Sequence, residues 1–178
     1  VYNPGSKIET ELALQTIFDT DGPSFIRLGK VPKIDYYKKK PKYKVGDGLL
    51  IKDGNDLTIF SSGNITEVVI DVANKLEKYN INAKVVSLIC LKPINSKSII
   101  SQISSRNVVT IEEHSEMGGL GTAIAEILMN NKLSHISFQK IALQDRCHKE
   151  IGSHNYLRKL NGLDSDSIVK KIINLTKN

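Results

Sequence analysis

Residues 111–122, Ile-Glu-Glu-His-Ser-Glu-Met-Gly-Gly-Leu-Gly-Thr, gather the side chains in this sequence best suited to chemistry. Glu112 and Glu113 can take up protons or accept amide hydrogen bonds. His114 has an ordinary pKa near neutrality and can act as acid, base or hydrogen-bond partner. Gly118, Gly119 and Gly121 permit positive φ or close backbone approach, and their amides could face a phosphate. The same glycines suit a tight strand-to-helix turn, because GGxG is neither GxGxxG nor a Walker loop with its lysine. On a strand the two glutamates point to opposite faces, so at most one meets a given ligand. Glu113 is the one expected to approach the next helix, where the dipole favours a carboxylate. No nucleophile or acidic relay stands beside His114. A ligand or interface contact is therefore the better reading for it, and no catalytic residue is assigned.

Asp145-Arg146-Cys147-His148 suggests metal binding, but no second Cys/His pair completes a closed zinc signature. Adjacent Cys147 and His148 seldom reach the geometry of a thiol enzyme. Asp145 and His148 are read as helix-start, ligand or interface residues, and no metal site is assigned. Arg27, ending an early strand pattern, and Lys84, before a later one, are candidates to hold a substrate phosphate.

The elements that must position these residues follow from periodicity. Helical spacing runs over 7–19, and Ser24 to Leu28 reads as a short strand. Lys44 to Ile51 suggests a strand entering the main domain. Leu57 to Ser61, Ala83 to Cys90, Asn107 to Ile111 and Ile136 to Leu143 read as buried strands. Between them lie helical stripes from Ile65 to Leu76, a short one capped by Asn95, and one from Gly119 to Leu128. Asn64 and Glu67 suggest a capping box. Tyr156 to Leu160 and a last helix capped by Asp164 complete the chain. Alternation of this kind predicts an α/β fold, a three-layer α/β/α sandwich with a mainly parallel sheet. Right-handed crossovers would bring Ser61-Ser62-Gly63 and Glu112-Glu113-His114 to one sheet edge.

The composition excludes several classes. The chain has 178 residues, 40% apolar, with short apolar runs that predict no membrane span. Two distant cysteines, Cys90 and Cys147, suit a reduced, cytoplasmic setting. The opening Val1-Tyr2-Asn3-Pro4 has no features of a signal peptide and suggests a fragment or processed product. The net charge of +6 is concentrated between Lys30 and Lys44. That run lacks helical spacing and reads as a solvated linker, with nucleic-acid binding disfavoured.

Four stretches resemble the C-terminal part of transketolase-like thiamine diphosphate enzymes. They are Gly22-Pro23-Ser24-Phe25-Ile26-Arg27-Leu28-Gly29-Lys30; Leu57-Thr58-Ile59-Phe60-Ser61-Ser62-Gly63; Val85-Val86-Ser87-Leu88 through Leu91-Lys92-Pro93-Ile94; and Val108 to His114 with Met117-Gly118-Gly119-Leu120-Gly121. Gly162-Leu163-Asp164 also fits. The resemblance implies three parts: residues 1–29 as the last helix and strand of a pyrimidine-binding domain, 30–50 as a basic linker, and 51–178 as the transketolase C-terminal domain. It implies a parent enzyme that moves a two-carbon ketol unit between sugar phosphates, using thiamine diphosphate and a divalent metal such as Mg. None of that cofactor is expected on this chain alone. It also implies a homodimer, or a partner subunit carrying the cofactor-binding domains. The family's activating glutamate would lie upstream, so neither Glu112 nor Glu113 takes that role. A 1-deoxy-D-xylulose-5-phosphate synthase, a 2-oxoacid dehydrogenase beta subunit, and a stand-alone binding or regulatory domain of the same fold are the alternatives.

Overall fold

The computed structural model describes residues 1–30, 35–147 and 149–176. The early helical pattern is α1 (Lys7–Phe18), opened by Ser6, whose Oγ accepts from Glu9 N at 3.1 Å. Glu9 reaches back to accept from Gly5 N at 2.6 Å, so the helix start is closed reciprocally. The sheet then builds from β1 (Gly48–Lys52), β2 (Leu57–Ser62), β3 (Ala83–Leu88), β4 (Asn107–Ser115) and β5 (Ser137–Leu143). Between and after the strands run α2 (Thr66–Leu76), α3 (Ser96–Gln102), α4 (Leu120–Asn130), α5 (His154–Leu160) and α6 (Ser165–Thr176). Strand order is β1-β3-β2-β4-β5, with β1 antiparallel at one edge and every other pairing parallel.

The pleat sorts the strand side chains into two layers. Ile59, Val85 and Val109 face α2 and α6, where Val69, Val72, Leu76, Ile168 and Ile172 meet them. Their sequence neighbours Phe60, Val86 and Val108 face α3 and α4, against Ile99, Leu120 and Ile124. This is the three-layer sandwich that alternating strands and helices predict. A third cluster joins Tyr2, Leu12 and Ala13 to Leu49, Ile89 and Cys90, seating α1 against the β1–β3 side.

Four local expectations change. The Ser24–Leu28 strand is reduced to a single parallel bridge between Ile26 and Tyr2, because Tyr2 is the one neighbour pairing with it among the described residues. The Ala83–Cys90 strand pattern is shortened to β3, which ends at Leu88, and Cys90 forms an isolated antiparallel bridge with Tyr2 instead. The Asn64/Glu67 capping box is absent. Gly63 turns at φ 76 straight out of β2, a 3₁₀ turn over Gly63–Ile65 leads into α2, and Ile65 caps it without a side-chain bond. Lastly, the basic linker is partly fixed. Tyr37 Oη donates to Glu9 Oε1 at 2.7 Å and Asp35 accepts from Ile8 N at 2.8 Å, while Lys38 to Lys40 stay exposed. Burial, then the nearby Glu9 charge, pushes the Tyr36 and Tyr37 phenols well up.

Candidate functional site

The chain runs from β2 to β3 on one side and returns to β4 on the other, so the turns after β2 and β4 diverge. A crevice at such a switch point is the usual ligand position in an open α/β sheet. Ser62 pairs with Glu112 there, at the shared edge the crossover rule predicts. A cleft of about 280 Å³ opens at this place, lined by Ser62, Glu112, Glu113 and His114 together with Tyr2 and Arg27.

The two glutamates do part to opposite faces, but their roles are exchanged relative to the expectation. Glu112, buried, caps α4: Oε2 accepts from Leu120 N at 2.7 Å and Oε1 from Gly121 N at 2.8 Å. Its side chain leans toward the face where α4 packs, and carboxylate and helix dipole attract each other. Glu113 turns instead toward α5. Arg158 Nε donates to its Oε1 at 3.1 Å and Nη2 to its Oε2 at 3.0 Å, while His154 Nε2 lies 2.5 Å from Oε1. Burial raises the Glu113 carboxyl pKa, but the bonds and charges of Arg158 and His154 outweigh it, and the net shift is downward.

In the glycine turn three amides that could face a phosphate are already engaged. Gly121 N and Leu120 N are taken by Glu112, and Gly118 N donates to Thr122 Oγ1 at 3.1 Å. Gly118 turns the chain at φ 72. Gly119 leaves the room that the Glu112 carboxylate fills.

The remaining candidates disperse. His114 is exposed on the cleft wall, with Nδ1 3.1 Å from the carbonyl of Ser115, and meets no nucleophile among the described residues. Asp145 accepts from Ser115 Oγ at 3.0 Å and so ties the loop after β5 to the end of β4. His148 lies outside the described residues. Lys84 stands near the start of β3, paired with Thr58, with Nζ 3.4 Å from Asp53 Oδ1. That is the opposite edge of the sheet, and the structure does not bring it to the cleft. Arg27 does reach it: Nη1 and Nη2 donate to the Glu113 carbonyl at 3.3 and 3.4 Å.

Sequence reasoning missed Arg158, His154 and Lys92. His154 and Arg158 are four residues apart behind a serine cap, a spacing that puts both on one helix face. That was the available signal. Lys92, exposed, lines the cleft with Arg27 and His114. Both nearby carboxylates are engaged, so the open ionisable groups of the cleft wall are basic. Such a rim favours an anionic ligand.

The family model for the C-terminal domain of transketolase matches residues 46–168. The chain belongs to the transketolase C-terminal domain family. Consistent with that family, it is 31% identical over 175 residues to a putative transketolase C-terminal section of Methanocaldococcus jannaschii, covering 97% of this chain and 54% of the relative. It is 27% identical over 178 residues to a 1-deoxy-D-xylulose-5-phosphate synthase of Halothermothrix orenii, covering 98% of this chain and 28% of that protein. Among solved structures, a split-gene transketolase described as an inactive beta4 tetramer superposes with a TM-score of 0.88 at 28% identity. That superposition covers 99% of this chain and 57% of the other. The transketolase C-terminal domain chain thus spans about half the length of the first of these relatives.

Proposed function

We propose that this chain is the C-terminal section of a transketolase-like enzyme that transfers a two-carbon ketol unit between sugar phosphates. Its part is subunit assembly together with a cleft for an anionic group. The observation that carries the reading is the cleft at the β2–β4 switch point, with Arg27, Lys92 and His114 on its wall and both glutamates engaged elsewhere. A phosphate monoester matches those donors, and Arg27 offers the planar fork that suits it.

Thiamine diphosphate with a divalent ion such as Mg is the cofactor the family implies, and it supplies carbanion stabilisation when bound. The described residues do not fit it. A metal diphosphate needs free carboxylates and free amides, whereas both Glu112 oxygens and both Glu113 oxygens are already bonded. No group of three or more His, Cys, Asp or Glu able to hold a metal ion occurs among the described residues. The cofactor would be held by a region upstream in the same protein or by a partner subunit. Assembly as a homodimer or with such a partner belongs to this proposal. No helix among the described residues is long and apolar enough to cross a membrane.

The test combines this chain with its cofactor-binding section and assays two reactions. Ketol transfer from a ketose phosphate to an aldose phosphate, absent from the chain alone, supports the proposal. Condensation that requires pyruvate sinks it and favours the synthase reading, which rests on the similarity to the Halothermothrix protein.

A further inference from the structure

We infer that Arg158 and His154 are positioning residues for Arg27, acting through Glu113, and so set the affinity of the cleft for a phosphate group. The phosphate half of this statement rests on the cleft reading above.

The strand register shifts at the end of β4. Ile111 pairs with Ile141, and the next pair is Ser115 with Leu143. Residues 112–114 of β4 therefore oppose residue 142 alone, which makes this stretch a bulge. A bulge releases its residues from the ladder and re-aims them. On the other side, the last β2–β4 pair is Ser62 with Glu112, one residue short of Glu113. The Glu113 carbonyl is thus beyond regular pairing on both flanks, and Arg27 takes it with both Nη atoms.

Ladder bonds do not fix the orientation of this carbonyl. Its side chain does. Arg158 grips the carboxylate with two parallel bonds, a geometry that restrains rotation as well as distance. His154 adds a third bond from one turn earlier on α5. The Arg158 side chain is only 9% exposed, is held by Glu113, and is not among the residues lining the main cleft. Arg27 is exposed and lines both the main cleft and a neighbouring cavity of about 30 Å³ formed with Asn3, Ser62 and Asn64. Two of its five N–H donors go to the carbonyl. Its backbone N–H donates to the Tyr2 carbonyl at 2.8 Å, and among the described residues the guanidinium bonds only that Glu113 carbonyl, which leaves its remaining side-chain donors for an anion.

A purely structural role for Arg158 would fasten α5 and nothing more. The two roles separate in an NMR titration of the 178-residue chain with inorganic phosphate, following the Arg27 Nε–Hε resonance. In the wild type, phosphate shifts this resonance, and Arg27→Gln abolishes the binding. The paired variant Glu113→Leu/Arg158→Leu removes both charges together, which preserves folding better than leaving one buried charge alone. It is expected to shift the Arg27 resonance before any phosphate is added and to weaken phosphate binding about fivefold. His154→Gln should fall between wild type and the pair. An Arg27 resonance unchanged in the folded paired variant overturns the positioning role, whatever phosphate does. Wild-type phosphate affinity in that variant, with Arg27→Gln still abolishing binding, overturns it too. Binding unaffected by Arg27→Gln instead refutes the cleft reading, while the ligand-free resonance still decides the positioning role.

Discussion

The Glu112 carboxylate occupies the space that a Gly119 side chain would need. A Cβ built on Gly119 would lie 2.7 Å from Glu112 Cδ and closer still to Oε2. The carboxylate is there because it caps α4, so the glycine and the acid are two halves of one device. This is why an acid from a strand end can replace a bound anion at the helix start. The turn looks like a phosphate loop and behaves as a self-capped one.

A methyl group at position 119 must therefore displace the cap. Gly119→Ala is expected to destabilise the chain by about 2 kcal/mol, within the usual range for overpacking a filled site. Glu112→Ala leaves two buried amides without their acceptor, for about 2 kcal/mol. Urea unfolding of the double variant decides whether the two effects are one. If they are, its loss falls short of the sum by at least about 1 kcal/mol, as coupled neighbours require. Additive losses would show that Gly119 matters for some other reason.

Much of this arrangement was legible in the sequence, and the illegible part has a physical cause. Ile59, Val85 and Val109 sit on one sheet face because period-two alternation leaves few alternatives. The Asp164 cap on Ser167 N, at 3.1 Å, was readable for a similar local reason. The roles of Glu112 and Glu113 were not. Strand parity shows that they diverge, but which face α4 covers depends on the handed crossover and the bulge that follows. Arg158 is 45 residues from Glu113, and a pair that distant leaves no local pattern. The linker misled through composition: Lys38 to Lys40, Lys42 and Lys44 are exposed, yet Tyr37 and Tyr43 among them pack against the cluster under α1.

The Glu113 cluster gives the chain an acid-sensitive fastening. Because the folded-state pKa is depressed, the unfolded chain binds the proton more readily. The stabilisation is fully present above the ordinary glutamate pKa and is lost as pH falls through the lower folded value. Exposed pairs such as Lys40–Glu11 add under about 1 kcal/mol, so this enclosed fork should dominate locally. Glu113→Gln should reduce stability at neutral pH by about 2 kcal/mol. The gap between wild type and variant should close in acid. Thermal unfolding from neutral to acidic pH checks this, and a gap constant with pH would contradict it.

Tyr37 offers a test of the strap over α1. Its hydroxyl donates to Glu9 at 2.7 Å, and Glu9 is fully buried at the helix start. Tyr37→Phe keeps the ring and removes one bond to a carboxylate. A loss of about 1.5 kcal/mol is expected, from an acceptor left short of a partner. Hydrogen exchange should locate the loss at the start of α1, since Gly5 N and the Tyr37 hydroxyl share the Glu9 carboxylate. Faster exchange spread evenly over the central strands would argue that the strap does not act locally.

Position, not charge alone, should decide which lysine matters for anion binding. Lys84 lies at the start of β3 and Lys92 beyond its end, but Lys84 sits at the sheet edge opposite the cleft, against Asp53, and Lys92 lines the cleft itself. Removing either lowers the net charge equally, so long-range attraction changes alike in both variants. Lys92→Ala should weaken inorganic phosphate binding about threefold at low salt, with the difference shrinking as salt screens an exposed charge. Lys84→Ala should match wild type within about 0.3 kcal/mol, the scale of an indirect surface effect. Calorimetric titration of both variants at two salt concentrations separates them. Equal weakening by the two substitutions would mean that the cleft responds to overall charge and that its wall does not contact the anion.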